Sequence, residues 1–127
     1  MRLALDTNRY TDFCKGQVEV VRRLEEAETV FVPFVVVAEL RAGFAVGGRS
    51  HENERVLQRF LSKPGIECLF PDDLTTQTYA AIFRQLRQQG TPIPTNDLWI
   101  AALVVQHGLK LYSRDPHFHK LAQLDLL

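Results

Sequence analysis

Leu3-Ala4-Leu5-Asp6-Thr7-Asn8 is the stretch from which the rest of the chain is read. A short apolar run that stops on an acid describes a fully buried strand with a carboxylate at its end. Asp6 and Asn8 are also suited to leaving a strand and capping a helix. Three further acids sit in comparable settings. Glu39 follows the apolar run Val30–Ala38, Asp97 opens Leu98–Val105, and Asp115 follows Leu109–Tyr112. Each is flanked by residues suited to a core, so none reads as loose surface charge.

Working outward, strand and helix patterns alternate. Val18–Glu28 places Val18, Val21, Leu24 and Ala27 on one helical face. Val30–Val32 reads as a second strand closed by Pro33. Val35-Val36-Val37 has strand propensity, but Ala38-Glu39-Leu40-Arg41-Ala42 is strongly helical. The spacing predicts a helix over 34–46, with Glu39 on an early turn. Glu52–Leu61 is an amphipathic helix with Val56, Leu57, Phe60 and Leu61 inward. Ile66–Phe70 is a third strand. Asp72-Asp73 caps a helix over Leu74–Gln89 that carries Tyr79, Ile82, Phe83 and Leu86 at helical spacing. Asn96 or Asp97 is expected to cap Leu98–His107, which is apolar nearly all round and therefore central. Lys110–Tyr112 is a fourth strand, and Leu126-Leu127 a possible fifth.

This alternation predicts an α/β fold, a three-layer sandwich with a central parallel sheet of four or five strands between helices. The 127 residues suit a single domain over 1–127. In open parallel sheets the site lies at the carboxyl ends of the strands. Asp6 and Asp115 fall just past strand ends, and Glu39 and Asp97 fall near helix starts, so all four can converge on one sheet edge.

Composition narrows the setting. Fifteen Lys plus Arg balance fifteen Asp plus Glu, so no global basic charge advertises a nucleic-acid partner. Cys14 and Cys68 make no disulfide scaffold, and a reduced, cytoplasmic setting is the simpler reading. Val30–Ala38, the longest apolar run, is too short to span a bilayer.

Converging carboxylates repel. Two charges about 4 Å apart do so by roughly 4 kcal/mol at an effective dielectric near 20. They need a proton or a cation. Hard oxygen ligands select Mg²⁺ or Mn²⁺ over Zn²⁺, and such an ion beside open phosphate-sized space suits phosphodiester hydrolysis. Singly, Asp6 and Asp97 have a blander reading as helix caps, and Asp115 as a turn residue before Pro116. His117 and His119 read as surface residues past a strand end, with help to phosphate or metal as the alternative. Among the arginines, Arg114 beside Asp115 has the best functional case.

Four blocks carry a family resemblance: Leu5-Asp6-Thr7-Asn8; Ala38-Glu39-Leu40 with Gly43; Asn96-Asp97-Leu98-Trp99-Ile100-Ala101-Ala102; and Ser113-Arg114-Asp115 with Phe118. In order and spacing they resemble the motifs of PIN-domain ribonucleases, and within them the VapC toxins of toxin–antitoxin pairs. The resemblance implies Asp6, Glu39, Asp97 and Asp115 as catalytic metal-binding acids. It implies Thr7, Asn8, Asn96 and Ser113 as helpers that hydrogen-bond the acids or waters. It further implies a Mg²⁺- or Mn²⁺-dependent endoribonuclease acting on tRNA or rRNA, an antitoxin of the VapB kind as partner, and a homodimer. Arg9-Tyr10 departs from the aliphatic residues usual after Asp-Thr-Asn, which touches the groove rather than the metal site. Three rivals stand beside this reading. A response-receiver module with a phosphoacceptor aspartate would want paired acids after the first strand, which Asp6-Thr7-Asn8 lacks. An aspartyl-nucleophile phosphatase needs a second acid at position 8, where Asn8 stands. A PIN-like module could bind RNA without cutting it.

Overall fold

The computed structural model describes residues 1–127. Strand β1 (Arg2–Leu5) runs into helix α1 (Thr7–Cys14), followed by α2 (Val18–Glu26) and β2 (Thr29–Pro33). Helices α3 (Phe34–Val46) and α4 (Ser50–Leu61) lead to β3 (Ile66–Leu69). The long α5 (Asp73–Gln89) and the apolar α6 (Thr95–His107) precede β4 (Lys110–Tyr112). A 3₁₀ turn over Pro116–Lys120 then leads to β5 (Asp125–Leu126). The sheet has five parallel strands in the order β3-β2-β1-β4-β5, flanked by helices, as the alternation predicts. β5 begins one residue earlier than read from the sequence, with Asp125 opposite Lys110 and Leu126 opposite Leu111.

The strand order places the site. From β1 the chain steps to β2 and β3 on one side, then crosses to β4 and β5 on the other. A crevice opens at the carboxyl ends of strands where the order reverses in this way. β1 is central because Leu3, Ala4 and Leu5 are wholly buried, the condition of a strand covered by helices on both faces.

Three consecutive valines, Val35, Val36 and Val37, are helical and buried, so packing overrides their strand propensity. α6 contributes Leu98, Ile100, Ala101, Ala102, Leu103 and Val104 to the interior, which matches its all-round apolar character. It starts earlier than expected. Leu98 N donates to Pro94 O (3.0 Å), so the first helical bond forms directly behind Pro94. Neither Asn96 nor Asp97 caps the helix; Asp97 lies inside its first turn.

Some faces rotate relative to the pattern. In α2 the buried residues are Val20 and Leu24, while Val18, at the very first helical position, is 81% exposed. In α4, Leu57 and Phe60 point inward as expected, but Val56 turns out to line a surface groove. Phe83 of α5 is half exposed, with Ile82 and Leu86 taking the core. In each case the apolar stripe is wider than the strip of helix that is buried.

Candidate metal centre

Asp6 ends β1 and caps α1, with its Oδ1 accepting from Thr7 N at 2.8 Å. Its Oδ2 accepts from Ser113 Oγ at 2.5 Å and from Asn8 Nδ2 at 3.3 Å. Cap and buried acid are thus one residue, and the two readings of Asp6 are compatible. Thr7 faces the other way along the site: its Oγ1 donates to Glu39 Oε1 at 3.0 Å, tying the early part of α3 to the start of α1.

The strip after β4 completes the cluster. Ser113 Oγ also accepts from Asp115 N at 3.0 Å, and Asp115 Oδ1 accepts from His117 N at 2.9 Å. His117 Nδ1 lies 2.7 Å from Asp97 Oδ2 and 3.0 Å from Asp115 Oδ1. Ligand atoms of Asp97, Asp115 and His117 all fall within 4.8 Å of one another. Of the residues singled out from the sequence, the structure brings together Asp6, Thr7, Asn8, Glu39, Asp97, Ser113 and Asp115. Asn96 is exposed on the first turn of α6 and makes no side-chain hydrogen bond. Arg114 is present, but its guanidinium turns away from the acids and onto Asp12.

Burial governs the electrostatics. Desolvation pushes the carboxyl of Asp6 above the ordinary range, and Asp115 adds to the rise, while hydrogen bonds from Ser113, Thr7 and Asn8 oppose it. Asp97 is likewise raised, first by burial and then by the charges of Asp115 and Asp6, with the bond to His117 pulling the other way. Three carboxylates therefore feel one another directly. No lysine or arginine lies within ion-pairing distance of Asp6, Glu39, Asp97 or Asp115; the only partner of that kind is the ring of His117. A divalent cation fits this donor set, in which crowded, partly buried oxygens lack a fixed positive neighbour.

The comparisons with known proteins agree with this geometry. The PIN-domain profile matches residues 3–124. The chain belongs to the PIN-domain family. It is 31% identical over 104 residues to the plasmid stability protein StbB of Pseudomonas syringae, covering 79% of this chain and 75% of that protein. It is 30% identical over 103 residues to ribonuclease VapC5 of Mycobacterium tuberculosis, covering 79% and 76%. Its fold matches the structure of VapBC2 from Rickettsia felis bound to a promoter DNA fragment, with a TM-score of 0.88 and 26% identity over 100% of this chain and 98% of that one. Several relatives of this PIN domain are named VapC ribonucleases, which upholds the resemblance read from the motifs.

Asp12 of this PIN domain escaped the sequence reading, and His117 is settled between two. His117 reads from the sequence as a surface residue, with help to phosphate or metal as the alternative; in the structure its ring bridges two of the acids. Its position two residues after Asp115 was the available signal, because a 3₁₀ turn begun by Pro116 brings that side chain back over the carboxylate. Asp12 gave no signal at all, being an acid in an otherwise unremarked short helix.

Proposed function

We propose that this PIN domain is a Mg²⁺- or Mn²⁺-dependent endoribonuclease, the toxin of a toxin–antitoxin pair, with structured RNA of the translation machinery as substrate. One observation carries the reading: Asp6, Asp97 and Asp115 gather at the carboxyl edge of the sheet, Glu39 is tied to the start of α1 through Thr7, and no lysine or arginine pairs with any of the four. Relatives named as ribonucleases support the same chemistry.

Asp6, Asp97 and Asp115 would hold the ion, with Glu39 beside them. Such an ion, when bound, would supply a water of lowered pKa and charge to offset that on the phosphate. The chain's own residues supply the rest. Ser113 and Asn8 fix Oδ2 of Asp6, so that carboxylate needs no rearrangement when it binds. Thr7 orients Glu39, whose free oxygen can accept a proton from an attacking water. His117 holds Asp97 and Asp115 at a set separation. In-line attack by water leaves a 5′-phosphate and a 3′-hydroxyl.

The antitoxin has a surface suited to it. Tyr10, Cys14, Leu40, Phe44 and Val56 line a groove of about 340 Å³ between α1, α3 and α4. The structural relatives include a member of the VapBC family of toxin–antitoxin systems from Mycobacterium tuberculosis, 25% identical to this chain. An apolar segment of a small antitoxin would lie in this groove, and a second copy of the chain would complete the assembly.

The test is cleavage of total small RNA by the purified chain with Mg²⁺ or Mn²⁺. Discrete 5′-phosphorylated fragments that vanish with EDTA and with Asp97→Asn are expected. Cleavage that survives both would remove these acids from the chemistry. Metal-dependent RNA binding without cutting would favour the non-catalytic module.

A further inference from the structure

We propose that Asp12 is a positioning residue that locks the Ser113–Asp115 strip, and with it the Asp115 carboxylate, onto helix α1. The inference rests on the reading of Asp115 as a metal ligand.

Asp12 is 2% exposed, one of only three buried acids in the chain, and the other two belong to the metal cluster. A charge buried on a helix is costly unless it is paired and fully hydrogen-bonded, and an apolar residue would serve a purely structural role as well. Asp12 is paired in full. Arg114 forks onto it, with Nε to Oδ2 at 2.8 Å and Nη2 to Oδ1 at 3.0 Å. Arg9 Nη1 reaches Oδ2 at 3.2 Å, and Gln17 Nε2 reaches Oδ1 at 3.3 Å.

What makes the pair more than a core contact is where Arg114 sits. It is the residue between Ser113, which holds Asp6, and Asp115 itself. Its backbone N–H donates to Asn8 Oδ1 at 3.0 Å. Asn8 and Asp12 are one helical turn apart on α1, so they face the same side. They grip residue 114 at two points, one through its backbone and one through its side chain. The strip has left the sheet after Tyr112, so the strand ladder does not fix it. A bidentate arginine–carboxylate pair sets direction as well as distance, and half-exposed Arg114 would wander without it. Arg9 stacks on the ring of Tyr112, the last β4 residue, at 4.6 Å and holds the same carboxylate from behind.

The experiment compares the full chain with Asp12→Asn and Arg114→Lys, which keeps charge but loses the fork. Backbone amide exchange in metal-free protein comes first, because it needs no metal or activity. We expect at least about tenfold faster exchange at Arg114 and Asp115 in both variants, with amides of β1 unchanged. Mn²⁺ affinity should weaken by about 10- to 100-fold, the range seen when residues that orient metal ligands are removed. The value of kcat should fall while KM for RNA holds, and the double variant should be no worse than either single one.

Unchanged exchange and Mn²⁺ affinity, with only a lower melting temperature, would overturn the proposal and leave a structural ion pair. A raised KM for RNA in Arg114→Lys, with exchange and Mn²⁺ affinity intact, would overturn it too, making Arg114 a phosphate contact. Faster exchange in the variants while the unmodified chain binds no Mn²⁺ would uphold the lock and sink the metal reading instead. Arg114 is half exposed, so its variant carries the test if Asp12→Asn does not fold.

Discussion

Asp6 and Asp97 are raised above the ordinary carboxylate range while Asp12 is lowered, and the signs have opposite consequences for stability. Between the ordinary value, about 3.9, and its raised value, a folded Asp97 binds more protons than an unfolded one. Stability therefore falls as pH rises across that window, and at neutral pH the metal-free fold carries a charge it disfavours. Asp97→Asn should raise the melting temperature of the metal-free protein by roughly 3 °C while abolishing cleavage. Differential scanning in EDTA checks this; an unchanged or lower value would mean that the carboxylate is not under strain. Asp12 behaves in the reverse sense, because the Arg114 fork favours its ionised form. Its contribution is present above the ordinary carboxylate value and is lost as pH falls through the depressed one. Acid unfolding of Asp12→Asn should therefore be less steep than that of the unmodified chain below about pH 4.

Helices α5 and α6 form the pair that carries Asp97, and the bonds that join them lie far along α6 from that acid. Asp72 caps α5 through a reciprocal box with Thr75, whose hydroxyl also bonds Gln106 near the end of α6. Gln106 returns a bond to Asp72 at 2.9 Å. Thr75 is wholly buried, so Thr75→Val would remove half of the box and leave the Gln106 carbonyl without its donor. A loss of about 1–2 kcal/mol in urea unfolding is expected. Mn²⁺ affinity should hold, because Asp97 stands two and a half turns back along α6. A weakened Mn²⁺ site in this variant would show that the α5–α6 junction also sets the position of Asp97.

The molecule as a whole folds around a cluster of 27 buried hydrophobic residues. Apolar burial of that size does not require an ion at the candidate metal site. The chain stripped with EDTA should keep its far-ultraviolet spectrum. Mn²⁺ at about a hundred times its dissociation constant should then add roughly 2.7 kcal/mol, since an ion held only by the folded state stabilises by mass action. A thermal shift that EDTA reverses checks both points, and unfolding on EDTA treatment alone would contradict them. No helix is long and apolar enough to cross a membrane.

The sequence by itself determined the parallel α/β architecture, because an all-apolar β1 and an all-apolar α6 can be satisfied only at the centre of a layered fold. It also marked Asp6, Glu39, Asp97 and Asp115, since an acid amid core-forming residues needs a special partner. Tertiary structure alone decided the rest. Which side of α2 faces inward depends on how the helix packs against its neighbours, so exposed Val18 could not be told from buried Val20. The start of α6 was set by the backbone of Pro94, which moved Asp97 from a cap to a buried first-turn residue. His117 and Asp12 acquire their roles from partners 20 and 102 residues away. Local spacing shows His117 only beside Asp115 and carries no trace of its pairing with Asp97 or of Asp12 with Arg114, because only the assembled sheet brings the strip after β4 against α1 and α6.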